Sequence, residues 1–385
     1  MRTIDKLYVS LANRKPFFSQ GWGDSRLLEH ILTTDPLRLN HGPAARVPPI
    51  EIQWAADEKA KIENGAAASS AAGIREGRFQ SPFRYEWRPR QAIAEKRGRA
   101  RNGRPAHFEA KHQSIVHTLP EPVQTARLQL IVPEGVENPP LVLHFAATGD
   151  EGFSRRRAAL AEPLLRLGIA SAILENPFYG SRRMPGRDSS NSATVQELLQ
   201  MSRAAQDEAL ALLRVFRAMG FRRLGVTGVS MGGYMALAVS ARHPEPLAVA
   251  ACIPSHSASP VYTEGILSGR CDWAALERSN PFADRYNPRE LLGHILDASD
   301  LRHLAPPPAP EACVIVGGRR DAYIPAYSTA ITHHLRPGSQ LHWIDMGHVS
   351  SFIFGRGAFL NAIRESFQRL EISIHKTKAK RPEHS

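Results

Sequence analysis

The chain has 385 residues, of which 42% are hydrophobic and 22% charged, the composition of a globular protein. Its formal net charge is +12 at pH 7. Such a charge could serve to bind nucleic acid, an anionic membrane surface or an acidic substrate, or it could simply face solvent. The positive charge is concentrated at 84–104 and 376–381, where the composition is that of flexible chain, so we favour the solvated interpretation. No aromatic-studded basic motif of a nucleic-acid fold occurs, and we expect no nucleic-acid partner. Contact with an anionic membrane surface is an alternative that the sequence leaves open.

The three cysteines, Cys252, Cys271 and Cys313, have neither the spacing of a metal site nor that of a disulfide framework. Two of them lie in apolar, strand-like runs, which indicates buried thiols in a reducing compartment. No run of 18 apolar residues occurs, which excludes an ordinary transmembrane helix. Residues 1–18 lack the apolar core of a secretory signal, although a transit peptide stays open. We therefore expect a cytoplasmic protein.

Residues 1–116 are predicted to form an N-terminal extension. It contains an amphipathic stretch at 4–11 and an aromatic, glycine-containing turn at 17–23, which we expect to pack on the surface of the main domain rather than touch a membrane. Residues 76–82 read as a strand that ends at a proline. The Arg-rich segment 84–104 is predicted to be a flexible linker.

From residue 117 onward, short apolar strands alternate with amphipathic helices. Strands are predicted at 125–132, 141–147, 169–174, 224–229, 247–253, 313–316 and 341–344. Helices are predicted at 154–167, 194–219, 231–241, 326–335 and 350–370. This alternation predicts an α/β fold with a doubly wound, mostly parallel sheet and ligand chemistry at the carboxyl ends of its strands. The domain is expected to span 117–371, followed by a basic flexible tail at 372–385.

Two segments of the predicted domain are unusual. Residues 125–132 alternate between apolar and polar side chains, which indicates a half-exposed edge strand. The long segment 255–306, between two predicted strands, is interpreted as a cap insertion that forms an acyl pocket, because loops of this length inside a domain usually serve as lids. Its pocket-forming candidates are the large side chains Tyr262, Ile266, Leu267, Trp273 and Phe282.

The strongest local motif is the Gly-x-Ser-x-Gly at 228–232, which lies between the predicted strand 224–229 and the helix 231–241. This context is typical of a nucleophile elbow, a turn so sharp that the central residue adopts strained backbone geometry and exposes its side chain. Ser230 is that residue. The alternative is an ordinary serine in a glycine-rich turn.

A serine hydroxyl needs a base to accept its proton and an acid to orient that base. On a fold of this kind, the acid and then the histidine follow the nucleophile in the chain. Asp321 and His348 each come directly after a predicted strand, so we assign Ser230 as nucleophile, His348 as base and Asp321 as orienting acid. The rivals are His256, which comes too early, and Asp345, which lies too near His348. Asp321 could also simply cap a helix.

Ester hydrolysis also needs N–H donors for the developing oxyanion. One is expected from the backbone of Met231, at the start of a helix. The other is expected from Ala147, Thr148 or Gly149, unless that loop is only a turn.

Three consecutive arginines at 155–157 open the helix after this loop. Guanidinium groups there could bind a phosphate or a carboxylate of a substrate, and we single out Arg155 and Arg156. The alternative is that they only face water.

Five dispersed blocks follow one another along the chain at 147–150, 155–157, 174–179, 228–233 and 259–268, and two more lie at 18–23 and 77–82. Together these blocks resemble the α/β-hydrolase domain-containing protein 18 family. The resemblance implies an α/β-hydrolase fold with a Ser-Asp-His site, carried onto Ser230, Asp321 and His348, and makes an acyl ester of a phospholipid a candidate substrate. The chain departs from the family at Ala147 and Glu151, where Gly and often His are usual.

The sequence therefore predicts a serine hydrolase that cleaves a small-molecule or lipid acyl ester, without a cofactor or a metal. Two alternatives stay open. One is a hydrolase-fold binding or scaffold protein without turnover, because a fold does not determine function. The other is an acyltransferase that uses the same acyl-enzyme.

Overall fold

The computed structural model describes residue 5 and residues 15–35, 47–55, 72–87 and 115–379. Its strands are β1 (Gln53–Trp54), β2 (Ala72–Gln80), β3 (Tyr85–Trp87), β4 (Ile115–His117), β5 (Thr125–Pro133), β6 (Leu141–Phe145), β7 (Ala170–Leu174), β8 (Leu224–Val229), β9 (Ala248–Cys252), β10 (Cys313–Gly318) and β11 (Gln340–Ile344). Nine of them form one sheet in the order β1-β2-β5-β7-β6-β8-β9-β10-β11, and β3 pairs with β4.

Helices cover both faces of this sheet. They are α1 (Ser25–Thr33), α2 (Glu121–Gln124), α3 (Ser154–Arg156), α4 (Glu162–Leu165), α5 (Val195–Ala218), α6 (Met231–Arg242), α7 (Ser259–Thr263), α8 (Trp273–Arg278), α9 (Pro288–Asp297), α10 (Ala326–His334), α11 (His348–Phe354) and α12 (Arg356–Ala379). A π-helical turn, Arg157–Ala161, joins α3 to α4, and 3₁₀ turns lie at Gly180–Arg182, Ile266–Arg270, Leu301–His303 and Pro310–Ala312.

The strands β6 to β11 pair in parallel, as the alternation of strands and helices predicts. Helices α5 and α6 contribute to one core, with Leu143 and Phe145 of β6. Helix α12 contributes to the core on the opposite face, with Val142 of β6 and Val314 of β10. A mostly parallel sheet buried on both faces confirms the predicted doubly wound α/β class.

The prediction of an edge strand at 125–132 is wrong. Strand β5 lies inside the sheet and pairs antiparallel with both β2 and β7. The polar side chains of this segment had indicated exposure to solvent, but they bond to the neighbouring strand β2. Arg127 and Gln129 donate to the Glu76 carboxylate over 3.1 and 3.3 Å. Strand β2 also begins earlier than the segment 76–82 assigned from sequence.

The predicted boundary at 371 lies inside helix α12, which continues to Ala379. Ile374 packs against the core, and the Ser373 hydroxyl donates to the Glu311 carboxylate, so the chain past 371 is anchored. Residues 380–385 of the predicted tail lie outside the described residues, as do 88–104 of the predicted linker and all of the stretch 4–11 except Asp5.

The aromatic turn near the N terminus packs as expected. Phe17, Phe18 and Trp22 are buried, and the Trp22 indole N–H donates to the Leu276 carbonyl over 2.8 Å. The backbone N–H of Phe17 donates to the Arg270 carbonyl over 2.9 Å, so this turn supports the segment between β9 and β10. That segment carries α7, α8 and α9. Across the described ranges, every helix is too short or too polar for a membrane span.

Candidate active site

The turn between β8 and α6 has the geometry of a nucleophile elbow. Ser230 has φ 59° and ψ −119°, a strained conformation for a residue with a side chain, and its N–H donates to the Cys252 carbonyl over 2.8 Å. A Cβ on Gly228 would lie 2.4 Å from the Gly232 carbonyl carbon, and one on Gly232 would lie 2.6 Å from the Phe145 oxygen. Only glycine therefore fits two positions before and two positions after Ser230.

Ser230, His348 and Asp321 form one hydrogen-bonded chain. The Ser230 Oγ lies 3.0 Å from His348 Nε2, and His348 Nδ1 lies 2.6 Å from Asp321 Oδ2. Asp321 Oδ1 accepts the N–H groups of Tyr323 and Ile324 over 2.8 and 2.9 Å, which holds the carboxylate in place. The ring of Tyr323 stacks on the imidazole with centroids 4.4 Å apart. An Nδ1–H that donates to Asp321 leaves Nε2 as the acceptor for the serine proton.

The alternatives weighed from the sequence have other surroundings. Asp321 does not cap α10, whose N-cap position is Pro325. Asp345 is exposed and forms a bidentate ion pair with Arg320, with both distances 2.7 Å. His256 Nδ1 lies 2.7 Å from the Ser328 hydroxyl, in the protein interior.

The loop after β6 lies beside the elbow. It closes a tight turn in which the Asp150 N–H donates to the Ala147 carbonyl over 3.0 Å, and Gly149 takes φ 76°. The Gly149 N–H points to the Tyr179 hydroxyl, at 3.4 Å. Met231 is the first residue of α6, so its N–H has no carbonyl partner one turn earlier in the helix. The amides of Thr148 and Ala147 stay as the other candidates for an oxyanion donor.

Arg156 has a different role from the substrate contact that we predicted. Its guanidinium is buried and donates to the carbonyls of His144, Leu174 and Gly152 over 3.2, 2.6 and 2.6 Å. Its Nε lies 2.9 Å from Asp150 Oδ2. Arg156 lines the cleft, as predicted, but these groups occupy its guanidinium, so it holds the loop after β6 against the ends of β6 and β7 rather than offering donors to a ligand.

Arg155 remains available at the cleft. Its side chain is 46% exposed, and its contacts are weak, with Nη1 at 3.5 Å from the Gly149 carbonyl and Nε at 4.0 Å from Asp150. In the nearby Arg183, Nη2 donates to both carboxylate oxygens of Glu151. Arg155 is therefore the cleft arginine whose charge is least neutralised by such close pairing.

Ser230 and His348 open on a cleft of about 630 Å³. Tyr262 lines it, as predicted, and packs against Phe17 and Phe18 with ring centroids 5.2 and 5.3 Å away. Trp273 does not line it. Its indole N–H donates to the Ser268 carbonyl over 2.8 Å, and the Arg289 guanidinium lies over its ring, so the prediction for Trp273 is corrected to a structural role.

Sequence reasoning missed three residues at this site. Tyr323 and Tyr179 lie in the loops that follow the predicted strands at 313–316 and 169–174, and that position could have indicated them. Asp5 gave no such signal; its carboxylate accepts the backbone N–H of His348 over 3.0 Å. In the described parts of the chain, no cluster of three or more His, Cys, Asp or Glu side chains has a metal-binding arrangement.

The comparisons with known proteins agree with this architecture. The acetyl xylan esterase 1 of Thermoanaerobacterium sp. JW/SL YS485 superposes with a TM-score of 0.50 at 15% identity, covering 93% of this chain and 98% of that one. The acetyl xylan esterase of Paenibacillus sp. R4 gives 0.50 at 11% identity, covering 90% and 96%. At these identities the likeness shows the fold. The family model described as alpha/beta hydrolase domain containing 18 matches residues 90–291 and 282–369, more than half of the sequence. The chain therefore belongs to the alpha/beta hydrolase domain containing 18 family.

Proposed function

We propose that the protein is a serine hydrolase that cleaves a carboxylic acyl ester through an acyl-enzyme intermediate. The observation that carries this proposal is the hydrogen-bonded chain from Ser230 through His348 to Asp321, which begins at a strained elbow and opens on a cleft. Strain of this kind persists only where the surrounding structure enforces it, and it clusters at active sites.

In the first half of the reaction, Ser230 Oγ attacks the ester carbonyl carbon while its proton moves to His348 Nε2. Asp321 stays ionised and stabilises the imidazolium that forms. The tetrahedral intermediate then expels the alcohol, which takes the proton from Nε2, and the acyl group remains on Ser230 as an ester. In the second half, water attacks this ester and gives a proton to Nε2. The tetrahedral intermediate then collapses to the carboxylic acid, and Ser230 Oγ leaves with the proton from Nε2, which restores the serine hydroxyl and the neutral imidazole.

The negative charge on the tetrahedral oxygen needs preorganised donors. We assign the first to the Met231 N–H, and the second to Ala147 or Thr148, because the Gly149 N–H is directed at Tyr179. Each such donor contributes about 3 to 4 kcal/mol to the transition state. Tyr179 and Arg156 help to position the second donor, because both form hydrogen bonds that hold the loop after β6.

The lining of the cleft suggests the substrate class. Apolar side chains that line it include Leu198, Val261, Leu267 and Ile324, and we assign them to the acyl chain. Arg155 lies in the same cleft, half exposed, and we assign it to an anionic group on the alcohol side of the ester. A phospholipid ester combines both features and is our candidate substrate.

Labelling with a fluorophosphonate probe tests the proposal, because such probes react with activated serine hydroxyls. We expect the wild type to be labelled and Ser230→Ala not to be. Absence of label on the wild type would count against catalysis and favour a binding or scaffold protein. Transfer of the acyl group to an added alcohol in preference to water would instead identify an acyltransferase that uses the same Ser230 ester.

A further inference from the structure

Asp5 lies more than 300 positions before His348 in the sequence, yet its carboxylate contacts the backbone around the proposed active site. The side chain is fully buried. Its Oδ2 accepts the N–H groups of Ala322 and His348 over 3.3 and 3.0 Å, and its Oδ1 accepts the N–H of Val349 over 2.9 Å. All three donors are backbone groups, so the carboxylate fixes main chain rather than side chains.

These donors belong to the two loops that carry the base and its orienting acid. Ala322 directly follows Asp321, after β10, and His348 begins α11, after β11. Because β10 and β11 are neighbours in the sheet, the two loops lie side by side at its carboxyl edge. The carboxylate of Asp5 therefore links the loop of the acid to the helix of the base.

Helix α11 has a structural need for such a carboxylate. The first N–H groups of a helix have no partner within it, and a negative charge there complements the helix dipole. The N-cap residue of α11 is Gly347, whose missing side chain can supply no acceptor. Asp5 provides from a remote part of the chain the cap that most helices obtain from their own N-cap residue.

The identity of Gly347 agrees with this. A Cβ at that position would lie 2.8 Å from Oδ2 and 3.1 Å from Oδ1 of Asp5. Its backbone conformation, φ −83°, is open to any residue, so the requirement for glycine here is the close approach of the carboxylate. The Asp5 carboxylate thus occupies the space that a side chain at position 347 would need.

We propose that Asp5 is a positioning residue for catalysis: it holds the loops of Asp321 and His348 in register so that the imidazole meets Ser230. This role rests on the proposed serine hydrolase function. Asp5 touches neither substrate nor reacting atoms; it acts through the backbone of His348. A misplacement of about 1 Å in catalytic groups can reduce turnover about 10²-fold.

The test measures kcat and KM for p-nitrophenyl butyrate with the full-length protein. We expect Asp5→Ala to lower kcat about 10²-fold with KM nearly unchanged, because the cleft that binds the ester is not altered. Asp5→Asn retains one acceptor oxygen and should lose less, about 10-fold. Asp24→Ala is the matched control, since Asp24 caps α1 through the Arg26 N–H and lies outside the site. Its kcat should stay that of the wild type.

A double-mutant cycle separates positioning from general damage. Gly347→Ala should lower kcat in the wild type, because its methyl group would displace the Asp5 carboxylate. In the Asp5→Ala background the same change should have little further effect. An unchanged kcat in Asp5→Ala, or an equal loss from Gly347→Ala in both backgrounds, would overturn the inference. If Asp5→Ala does not fold, Asp5→Asn and Gly347→Ala decide by the same criterion.

Failure of the inference differs from failure of the proposed function. If Ser230→Ala abolishes turnover but Asp5→Ala leaves kcat unchanged, only the role of Asp5 is refuted. If Ser230→Ala keeps full turnover, the nucleophile is wrong and the positioning role falls with it.

Discussion

Behind the cleft, the described part of the chain contains another set of serine, histidine and aspartate side chains: Ser328, His256 and Asp300. The Ser328 hydroxyl lies 2.7 Å from His256 Nδ1, and His256 Nε2 lies 3.5 Å from Asp300 Oδ2. By residue type, this set resembles the one formed by Ser230, His348 and Asp321, although its histidine–aspartate distance is longer than the 2.6 Å between His348 and Asp321. The environments of the two sets are nevertheless different.

The difference begins at the serine. Ser328 lies within α10 and is fully buried, and its hydroxyl accepts the backbone N–H of His256 over 3.1 Å. Ser230 lies at a strained turn with φ 59° and lines the cleft. Asp300 is tied to the Arg302 guanidinium by bonds of 2.9 and 2.6 Å. We therefore expect that three suitable side chains in contact do not by themselves make a nucleophile, and that a backbone presenting the hydroxyl to an open space is also needed.

Replacing each serine by alanine is the strongest test of this contrast. Ser230→Ala should reduce kcat on the order of 10⁶-fold, by analogy with other triads. Ser328→Ala should leave kcat close to that of the wild type and instead lower the free energy of unfolding by about 1 to 3 kcal/mol, because His256 loses a buried hydrogen-bond partner. Steady-state kinetics and denaturant unfolding measure the two effects. A large loss of kcat in Ser328→Ala would contradict the assignment.

The two aspartates give the next largest effect. Asp321→Asn should lower kcat about 10⁴-fold, because an amide favours the wrong tautomer of His348. Asp300→Asn is the matched change in the buried set and should alter stability while leaving kcat near that of the wild type. Kinetics for both variants, with circular dichroism to verify folding, test this pair. Equal losses of kcat would show that the buried set also takes part in catalysis.

The smallest expected effect concerns pH and the buried histidine. Burial lowers the pKa of His256 below its usual 6.5, with Asp300 opposing this in part. The unfolded chain therefore binds a proton at higher pH than the native protein does, so the stability contributed by neutral His256 is present above about pH 6.5 and is lost as the pH falls toward the lowered native pKa. The unfolding free energy of His256→Gln should decline less steeply than that of the wild type between about pH 7 and 5. Identical slopes would contradict this.

Several features of the fold and the site followed from local pattern. The parallel strands and the long helix α5 were predictable because apolar periodicity reports burial directly. Ser230 was predictable because both glycines of its turn are required by contacts within a few residues. The order of nucleophile, acid and histidine expected for this fold then selected Asp321 and His348 as candidates.

The tertiary structure decided what depends on contacts between distant segments. Periodicity could not show that β5 lies inside the sheet, because its polar face is satisfied by Glu76 on another strand. The three adjacent arginines cannot be distinguished by sequence. In the folded structure, the Arg156 guanidinium bonds to carbonyls of β6 and β7, whereas Arg155 is half exposed. The sequence by itself determined the elbow and the class of fold, since both arise from local backbone preference and burial pattern. The hydrogen bond from the His348 backbone N–H to the Asp5 carboxylate joins residues far apart in the sequence, and such contacts exist only once the chain is folded.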